Sequence, residues 1–318
     1  MREDVEKEIR TMASLPTPVP PQGRLRRPRL RRAEHPTPDT RHPTPDTRHP
    51  TPDTRVVLGI FPHPDDEAYA AGGTIARAAA AGVRAVTLSA TRGERGRRFH
   101  QDAGDPRSLA EVRAEELACS CRLLGAEPPR FLDLPDGGLA RVDFPCAVAE
   151  IVGVIRDVRP RVVLTLGPEG VYGHPDHVAL YRLVVAAIHA AAGGDRFPEE
   201  RLGPAHRVER VCFAAFPFGL FRPQYDKMLT SDLAAAVRLV DPNRLGAPEA
   251  EIGVAVAITA VAERKLAALA CHRSQYEGDD PRGIFPAGIV DGLLQTEYFT
   301  LAGSRPPGAR LRDPFEGL

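Results

Sequence analysis

Short apolar runs alternate with segments of helical spacing from Val56 onward. The β-branched run at 56–60 predicts a strand, and the alanine-rich segment that continues to about Gly82 predicts a helix. Further strands are predicted at 83–89, 131–134, 161–166, 207–214 and 297–301, and further helices at 108–125, 142–158, 178–192 and 260–271. This alternation predicts βαβ units, and hence an α/β fold with a Rossmann-like, mostly parallel sheet and helices on both faces.

The first 55 residues differ in composition from the rest of the chain. They contain a proline-rich stretch at 16–21, an arginine-rich run at 24–32, and three copies of His-Pro-Thr-Pro-Asp-Thr-Arg that end at Arg55. So much proline with so few apolar residues cannot bury a core, so we predict a disordered arm at 1–55. We interpret its repeated histidines as part of a solvated low-complexity segment and not as a metal site. One α/β domain at 56–303 and a loose tail at 304–318 are predicted to follow.

Deleting residues 1–54 is expected to leave the melting temperature and the turnover of the protein nearly unchanged, because the predicted arm buries little and carries no candidate ligand. Thermal unfolding and activity of the full-length and truncated proteins, compared side by side, measure this. A large drop in melting temperature after the deletion would contradict the prediction.

The charge balance and the cysteines limit the partners and the compartment. Lysine plus arginine and aspartate plus glutamate both number 42, so neither a nucleic acid nor an anionic membrane surface is an expected partner. No segment has the length of a transmembrane helix or the apolar core of a secretory signal. The five cysteines are scattered without a CxxC pair, and their number is odd. We therefore expect no disulfide framework, no cysteine-based zinc site and a cytoplasmic protein.

Side chains that can bind a metal follow the first predicted strand, in the stretch Phe61-Pro62-His63-Pro64-Asp65-Asp66-Glu67. His63 and Asp66 are three residues apart, so the first turn of a helix would place them on one face, with Asp65 pointing elsewhere. An imidazole nitrogen and a carboxylate oxygen suit zinc, and such a pair leaves positions for a third side chain and a water. The alternative is that the acidic residues only cap a helix N-terminus.

A second stretch, Gly173-His174-Pro175-Asp176-His177, repeats this arrangement after the strand predicted at 161–166. Two His-Pro-Asp loops that follow parallel strands lie at the same edge of a sheet, which favours one shared site over two unrelated surface loops. The residue types alone allow either His174 or His177 to be the third ligand. The glycine-punctuated loop 91–96 follows another strand and reaches the same edge. Phosphate binding is the weaker interpretation of it, because it lacks both common phosphate-loop spacings.

These stretches and several others resemble motifs of the LmbE-like (PIG-L type) zinc-dependent de-N-acetylases, and they follow one another in the order that this family has. The resemblance covers roughly 56–303 and is carried by 63–67, 91–96, Arg113 with Glu116, 133–137, 174–177 and 265–275. It implies a hydrolase that binds one zinc ion per chain, with other divalent metals left open. It also implies that this hydrolase removes the N-acetyl group from an N-acetylglucosaminyl conjugate.

The resemblance assigns roles to five of these side chains. By it, His63, Asp66 and His177 bind the metal. Asp65 is then the general base that takes a proton from the attacking water, and His174 stabilises the oxyanion or protonates the leaving amine. A protein that only bound a sugar would need neither Asp65 nor His174.

Substrate contacts are also implied by the resemblance. Arg113 and Asp136 would contact sugar hydroxyls, although in isolation Arg113 is more typical of a solvated pair with Glu116. His272 is a weaker candidate that would lie close to the site without binding the metal. The aromatic segment 216–221 is either a packed corner of the fold or a wall for the remainder of the substrate.

A small-molecule sugar conjugate is therefore the expected partner, and the sequence leaves a homo-oligomer open. Two alternatives to the deacetylase remain. One is an amidase of the same family that cleaves a thiol-conjugate amide, and the other is a non-catalytic sugar-binding relative. The amidase would use the same metal and the same base, so these residues do not separate it from a deacetylase.

Overall fold

A seven-stranded sheet is the centre of the computed structural model, which describes residues 55–100, 105–194, 197, 199–231, 234, 241–243, 245–303 and 310–318. Its strands are β1 (Val56–Phe61), β2 (Arg84–Ser89), β3 (Arg130–Phe131), β4 (Val162–Leu166), β5 (Arg210–Ala215), β6 (Ile252–Ala257) and β7 (Thr296–Leu301). They lie in the order β3-β2-β1-β4-β5-β7-β6. The first five run parallel, and β7 is antiparallel to both of its neighbours.

Helices cover both faces of this sheet. Five long helices lie in the described part of the chain: α1 (Asp66–Ala80), α2 (Leu109–Leu124), α3 (Phe144–Val158), α4 (Pro175–Ala191) and α5 (Ala262–Cys271). One core, with Ile75, Leu124 and Leu269, lies on the face of α1, α2 and α5, and a second, with Ile151 and Leu180, lies on the face of α3 and α4. Short helices lie at Gly170–Gly173, Glu199–Leu202, Tyr225–Met228 and Ile289–Leu293. The predicted fold class, an α/β sheet that is mostly parallel with helices on both faces, is confirmed.

The two ends of the chain differ in how much the structure describes. The arm predicted at 1–55 lies outside the described residues, except for Arg55, and so does 304–309 of the predicted tail. The described end of that tail is not loose. Leu311 pairs with Val254 of β6, and Phe315 is buried in the core, so this end packs as part of the domain.

Local sequence signals explain most of the element bounds. β1 and β4 are buried along their whole length and, apart from Thr165, apolar, as expected of central parallel strands covered on both faces. α2 begins with a capping box, in which the Glu111 N–H donates to the Ser108 hydroxyl and the Ser108 N–H donates to the Glu111 carboxylate. The sequence does not predict β6, because Gly253 and two alanines weaken its strand propensity.

The strand order reverses between β1 and β4, which are adjacent and parallel. From β1 the chain continues to β2 and β3 on one side, whereas β5 lies on the other side of β4. In open α/β sheets, ligand sites lie at the carboxyl ends of the strands beside such a reversal. The loops 62–65 and 167–174 leave β1 and β4 at this point, so the structure brings the two His-Pro-Asp loops to one edge, as the sequence predicts.

A buried ion pair between Lys265 and Glu297 fixes the middle of α1. The Lys265 ammonium lies 2.6 Å from the Glu297 carboxylate and donates to the Tyr69 carbonyl at 3.0 Å. The same carboxylate accepts the backbone N–H groups of Gly73 and Thr74, each at 2.7 Å. Because each buried charge is hydrogen-bonded, the pair is well compensated, and it ties α5 and β7 to the helix whose first turn carries part of the candidate site.

Cys119 and Cys271 form a disulfide that links α2 to α5, and the other three cysteines are free. The sequence predicts no disulfide framework and does not anticipate this single crosslink. The two residues are 152 positions apart, so no local spacing in the sequence reveals the pair. The pairing also removes the argument for a reducing compartment, since that argument rested on unpaired cysteines. Among the described residues, no helix is both long enough and apolar enough to span a membrane.

Reduction of this disulfide is expected to lower the melting temperature, because the bond closes a long loop of the unfolded chain and such bonds contribute about 2–4 kcal/mol. Peptide mapping without reductant should yield the peptide crosslinked through Cys119 and Cys271. Cys146→Ser is a matched control, because it removes an exposed thiol outside the crosslink. A protein purified without reductant in which all five thiols react would contradict this expectation.

Candidate active site

The two His-Pro-Asp loops meet at the carboxyl ends of β1 and β4. The ring centroids of His174 and His177 are 4.8 Å apart, and that of His63 lies 5.1 and 5.4 Å from them. Asp66 is the first residue of α1, and His177 lies in the first turn of α4. The structure therefore brings together the four side chains from which the sequence predicts a metal site.

His63, Asp66 and His177 offer three donor atoms that all lie within 4.8 Å of one another. The His63 Nδ1 is 3.2 Å from the Asp66 Oδ2, and the His177 Nε2 is 3.5 Å from the Asp66 Oδ1. Burial would raise the pKa of Asp66, but His177 and His63 hold it well below its usual range, so the carboxylate is ionised. Two imidazole nitrogens and a carboxylate oxygen match the donors that zinc takes in catalytic sites.

The second ring nitrogens of both histidines are bonded as those of metal ligands usually are. The His177 Nδ1 lies 3.1 Å from the Gly170 carbonyl, which only accepts, so Nδ1 carries the proton and Nε2 keeps a lone pair. Burial lowers the pKa of His177 to about 4, so this ring is neutral. The His63 Nε2 lies 3.2 Å from Asp136 and 3.3 Å from Asp176. A ligating imidazole almost always donates its other N–H to a carboxylate or a carbonyl in this way.

His174 is bonded differently. Its Nδ1 accepts the backbone N–H of Asp176 at 3.2 Å, so its proton lies on Nε2. Burial lowers the pKa of His174, with a smaller contribution from His63, so the ring is neutral and has one N–H to donate. The residue types leave the choice between His174 and His177 open, and the hydrogen bonds favour His177 as the ligand.

A second set of donor atoms, from His63, His174 and Asp176, also lies within 4.8 Å of one another. Both oxygens of Asp176 are already bound by backbone N–H groups, Oδ2 by Gly137 at 2.6 Å and Oδ1 by Leu139 at 3.1 Å. Asp176 therefore holds the His63 ring against the turn that follows β3. The set that contains Asp66 is the better metal site, because a backbone N–H, that of His63, binds only the Oδ2 of Asp66 at 3.1 Å and leaves Oδ1 beside the His177 Nε2.

Asp65 lies beside the ligand set and not within it. It is the residue before α1, and its backbone has φ 120° and ψ −32°, a conformation that residues other than glycine rarely adopt. The Arg113 guanidinium donates to the Asp65 Oδ2 at 3.0 Å. Burial raises the pKa of Asp65 to about 6, although Arg113 opposes the rise.

Arg113 and Asp136 are bonded to the loops of the site. The Arg113 guanidinium donates to the carbonyls of Pro64 and Gly93 as well as to Asp65, and only 3% of the residue is exposed. Asp136 contacts His63 and accepts the backbone N–H of Arg95 at 2.7 Å. Neither Arg113 nor Asp136 lines the cavity described below. Their contact with sugar hydroxyls stays a prediction, and the contacts in this structure are with the loops that carry the ligands.

A cavity of 920 Å³ opens beside these residues. Its lining includes polar residues of the candidate site, namely Asp65, Asp66, Tyr172, His174 and His177, and apolar residues, namely Phe216, Phe221, Phe285 and Ile289. Phe221 is also buried in a small apolar cluster, with its ring 4.9 Å from that of Phe216. The aromatic segment is therefore both a packed corner and a cavity wall, so the two interpretations of it do not exclude each other.

Sequence reasoning assigned no role to Asp176 and Tyr172. Asp176 lies in the second His-Pro-Asp loop between two histidines, and these histidines are the stronger candidates for metal ligands. The Tyr172 ring lies 5.2 Å from that of His177, and its position depends on Val171, which has a φ of 66°. A left-handed β-branched residue is too unusual to be expected from sequence, so nothing signalled that Tyr172 would reach the site.

Comparisons with known proteins find similar sequences and similar structures. Residues 58–188, which contain both ligand loops, match the family model described as PIG-L: GlcNAc-PI de-N-acetylase. A 1D-myo-inositol 2-acetamido-2-deoxy-alpha-D-glucopyranoside deacetylase of Rhodococcus opacus (strain B4) is 34% identical over 303 residues, which cover 83% of this chain and 98% of the relative.

Two crystal structures are also similar. A conserved protein of Thermus thermophilus is 30% identical with a TM-score of 0.55, over 80% of this chain and 98% of that one. The N,N'-diacetylchitobiose deacetylase of Pyrococcus horikoshii also has a TM-score of 0.55, over 80% of this chain and 86% of that one. At 22% identity it supports the fold alone. The extent of the Rhodococcus match, with both ligand loops inside the matched family region, shows that the chain belongs to the PIG-L (LmbE-like) family of hydrolytic deacetylases.

Proposed function

We propose that the chain is a zinc-dependent hydrolase that removes the N-acetyl group from an N-acetylglucosaminyl conjugate. The observation that carries this proposal is the convergence of His63, Asp66 and His177 beside the carboxylate of Asp65 and the N–H of His174. This set suits zinc, because both ligand histidines have their second nitrogen beside an acceptor and the carboxylate between them is ionised. A protein that only bound sugars would need no base and no proton donor beside these ligands.

Zinc held by these residues would lower the pKa of a water molecule and polarise the acetamide carbonyl. Asp65 takes the proton of the attacking water. Arg113 binds the Oδ2 of Asp65, so Oδ1 is the oxygen that we assign to this proton. A pKa of about 6 suits a general base that works near neutral pH. His174 donates a hydrogen bond from its Nε2–H to the oxyanion and keeps this proton. Asp65 then passes the proton that it took from water to the nitrogen that leaves, so that acetate and a free amine are the products.

The substrate class comes from the name of the Rhodococcus relative, which acts on an N-acetylglucosamine unit joined to inositol. We assign the same bond, the acetamide of a glucosamine unit, to this chain. A cavity of 920 Å³ has room for such a conjugate, because sites for small molecules measure about 300–1,000 Å³. Phe216 and Phe221 line the same cavity as Asp66 and His177 and would contact the part of the substrate beyond the sugar.

The test is acetate release by the full-length, zinc-loaded protein from free N-acetylglucosamine, its inositol conjugate and an aryl conjugate. We expect equal amounts of acetate and free amine, and a higher kcat/KM for the conjugates, because binding of the remote group helps to orient the amide. The protein without zinc is the blank. A zinc-loaded protein that releases acetate from none of these substrates would contradict the proposal.

A cysteinyl amide of a glucosamine conjugate separates the deacetylase from the thiol-conjugate amidase. Both enzymes would use the same ligands and the same base, so only the bond that is cleaved distinguishes them. Hydrolysis of the cysteinyl amide without acetate release from any acetamide would make the chain an amidase.

A further inference from the structure

Asp65 is held in its unusual backbone conformation by side chains that lie outside the cavity. Its φ of 120° is unfavourable for a residue with a Cβ, so surrounding contacts must maintain it. Arg113 binds the carbonyl of Pro64 on one side and the carboxylate of Asp65 on the other. On the opposite side of the peptide, the Asp65 N–H donates to the Glu67 Oε2 at 2.9 Å.

Glu67 is itself held by two donors from different helices. Its Oε1 accepts the Ser120 hydroxyl of α2 at 2.5 Å and lies 2.8 Å from the Nε2 of His272, at the end of α5. The side chains of Glu67 and His272 are buried, with 1% and 0% of their surface exposed. The Cys119–Cys271 disulfide joins the residues immediately before Ser120 and His272, so it keeps both donors close to the Glu67 carboxylate.

The His272 imidazole has one polar partner in the part of the chain that the structure describes. Its Nε2 contacts Glu67, whereas its buried Nδ1 has no hydrogen-bond partner there. The His272 ring therefore does not bridge two groups through its two nitrogens, whereas many buried histidines do. The ring does not line the cavity, so its contact in this structure is with Glu67.

We infer that His272 is a positioning residue for the reaction. By fixing the Glu67 carboxylate, it holds the Asp65 N–H and thereby the direction in which the Asp65 side chain points. This inference rests on the proposed function, in which Asp65 is the base that accepts the proton of water. The other interpretation is that the buried pair of His272 and Glu67 matters only for the fold, since removal of one partner of a buried pair leaves the other uncompensated and destabilises a protein.

His272→Leu and His272→Gln separate these two roles. Leucine removes the donor to Glu67, whereas glutamine puts an amide N–H at about the position of the imidazole Nε2. We expect His272→Leu to lower kcat by about 10–100-fold, because small displacements of a catalytic group have effects of this size, with KM and zinc content unchanged. His272→Gln should restore most of the lost kcat. Equal kcat in the wild type and His272→Leu would overturn the inference.

The same substitution in an Asp65→Asn background tests whether His272 acts through Asp65. If it does, His272→Leu should have almost no further effect on the residual kcat, because residues that act as one unit are not additive. A merely structural role would give the same fold-loss in both backgrounds, and that result would overturn the inference. Tyr276→Phe is the matched control, because it removes a nearby, partly buried hydrogen bond, from the Tyr276 hydroxyl to the Ala270 carbonyl, and leaves the contacts of Glu67 and Asp65 in place.

Hydrogen exchange supplies a measurement that does not depend on activity. Amides of the 63–69 segment should exchange faster in His272→Leu and at the wild-type rate in both His272→Gln and Tyr276→Phe. If the wild type deacetylates nothing but this pattern appears, the proposed function fails while the positioning contact stands. Unchanged exchange in His272→Leu would overturn the contact itself. If His272→Leu does not fold, Ser120→Ala removes the second donor to Glu67 and should give the same pattern with a smaller change.

Discussion

Replacement of Asp65 by asparagine is expected to lower kcat by about 10²–10⁴-fold while zinc stays bound, because the loss of a general base has an effect of this size. Asparagine keeps the shape of the side chain and an oxygen for Arg113, but its amide cannot take the proton of water. The metal should remain, because the donor atoms of the ligand set belong to the three neighbouring side chains.

In Asp66→Asn, by contrast, the loss of zinc should come first and cause the loss of activity. Its carboxylate lies 3.2 Å from the nitrogen of one ligand histidine and 3.5 Å from that of the other, so neutralising it weakens the metal site first. Zinc content falls, and activity falls as a consequence. Adding excess zinc should raise the activity of Asp66→Asn but not that of Asp65→Asn.

Kcat and zinc content, measured together on both variants with and without added zinc, decide between these roles. Asp157→Asn is a suitable control, because this exposed residue of α3 is paired with Arg130 and lies in a different part of the fold. If excess zinc restored Asp65→Asn to wild-type activity, Asp65 would be a ligand and the mechanism proposed above would fail.

The fold was largely predictable because its signals are local. Apolar runs of strand length alternate with helical spacing, and this alternation alone predicts a mostly parallel α/β sheet. The carboxyl ends of β1 and β4 could be identified as the site for the same reason, since a His-Pro-Asp loop follows each strand directly. β6 escaped prediction because glycine and alanine carry little strand propensity, so its structure depends on tertiary contacts, which include its pairing with β7 and with Leu311.

The contacts that hold the site residues in position were not predictable, because they join distant parts of the chain. His272 reaches Glu67 across 205 positions, and Cys119 pairs with Cys271 across 152. Arg113 could be placed on a helix but not behind Asp65, since nothing local shows which loop a helix packs against. Composition and spacing thus identify groups that bind a metal, whereas the contacts that orient these groups appear only in the folded chain.

The tautomers of His174 and His177 predict that the two histidines differ in their effect on zinc binding. His177→Ala should lose zinc, and His174→Ala should keep it. His177 donates its Nδ1 proton to the Gly170 carbonyl, and this leaves a lone pair on Nε2, the nitrogen nearest to Asp66. His174 accepts the N–H of Asp176 on Nδ1, so its Nε2 carries a proton and cannot bind a metal without losing it.

Zinc stoichiometry by elemental analysis, with kcat on the same samples, is the measurement. We expect His177→Ala to be nearly free of zinc and inactive. His174→Ala should hold one zinc per chain and lose about 10²–10³-fold in kcat, the effect of removing one donor to an oxyanion. His189→Ala is the matched control, because His189 lies on the exposed face of the same helix and should change neither quantity. Full zinc in His177→Ala together with loss of zinc in His174→Ala would reverse the ligand assignment, and the His63, Asp66 and His177 set would have to be abandoned.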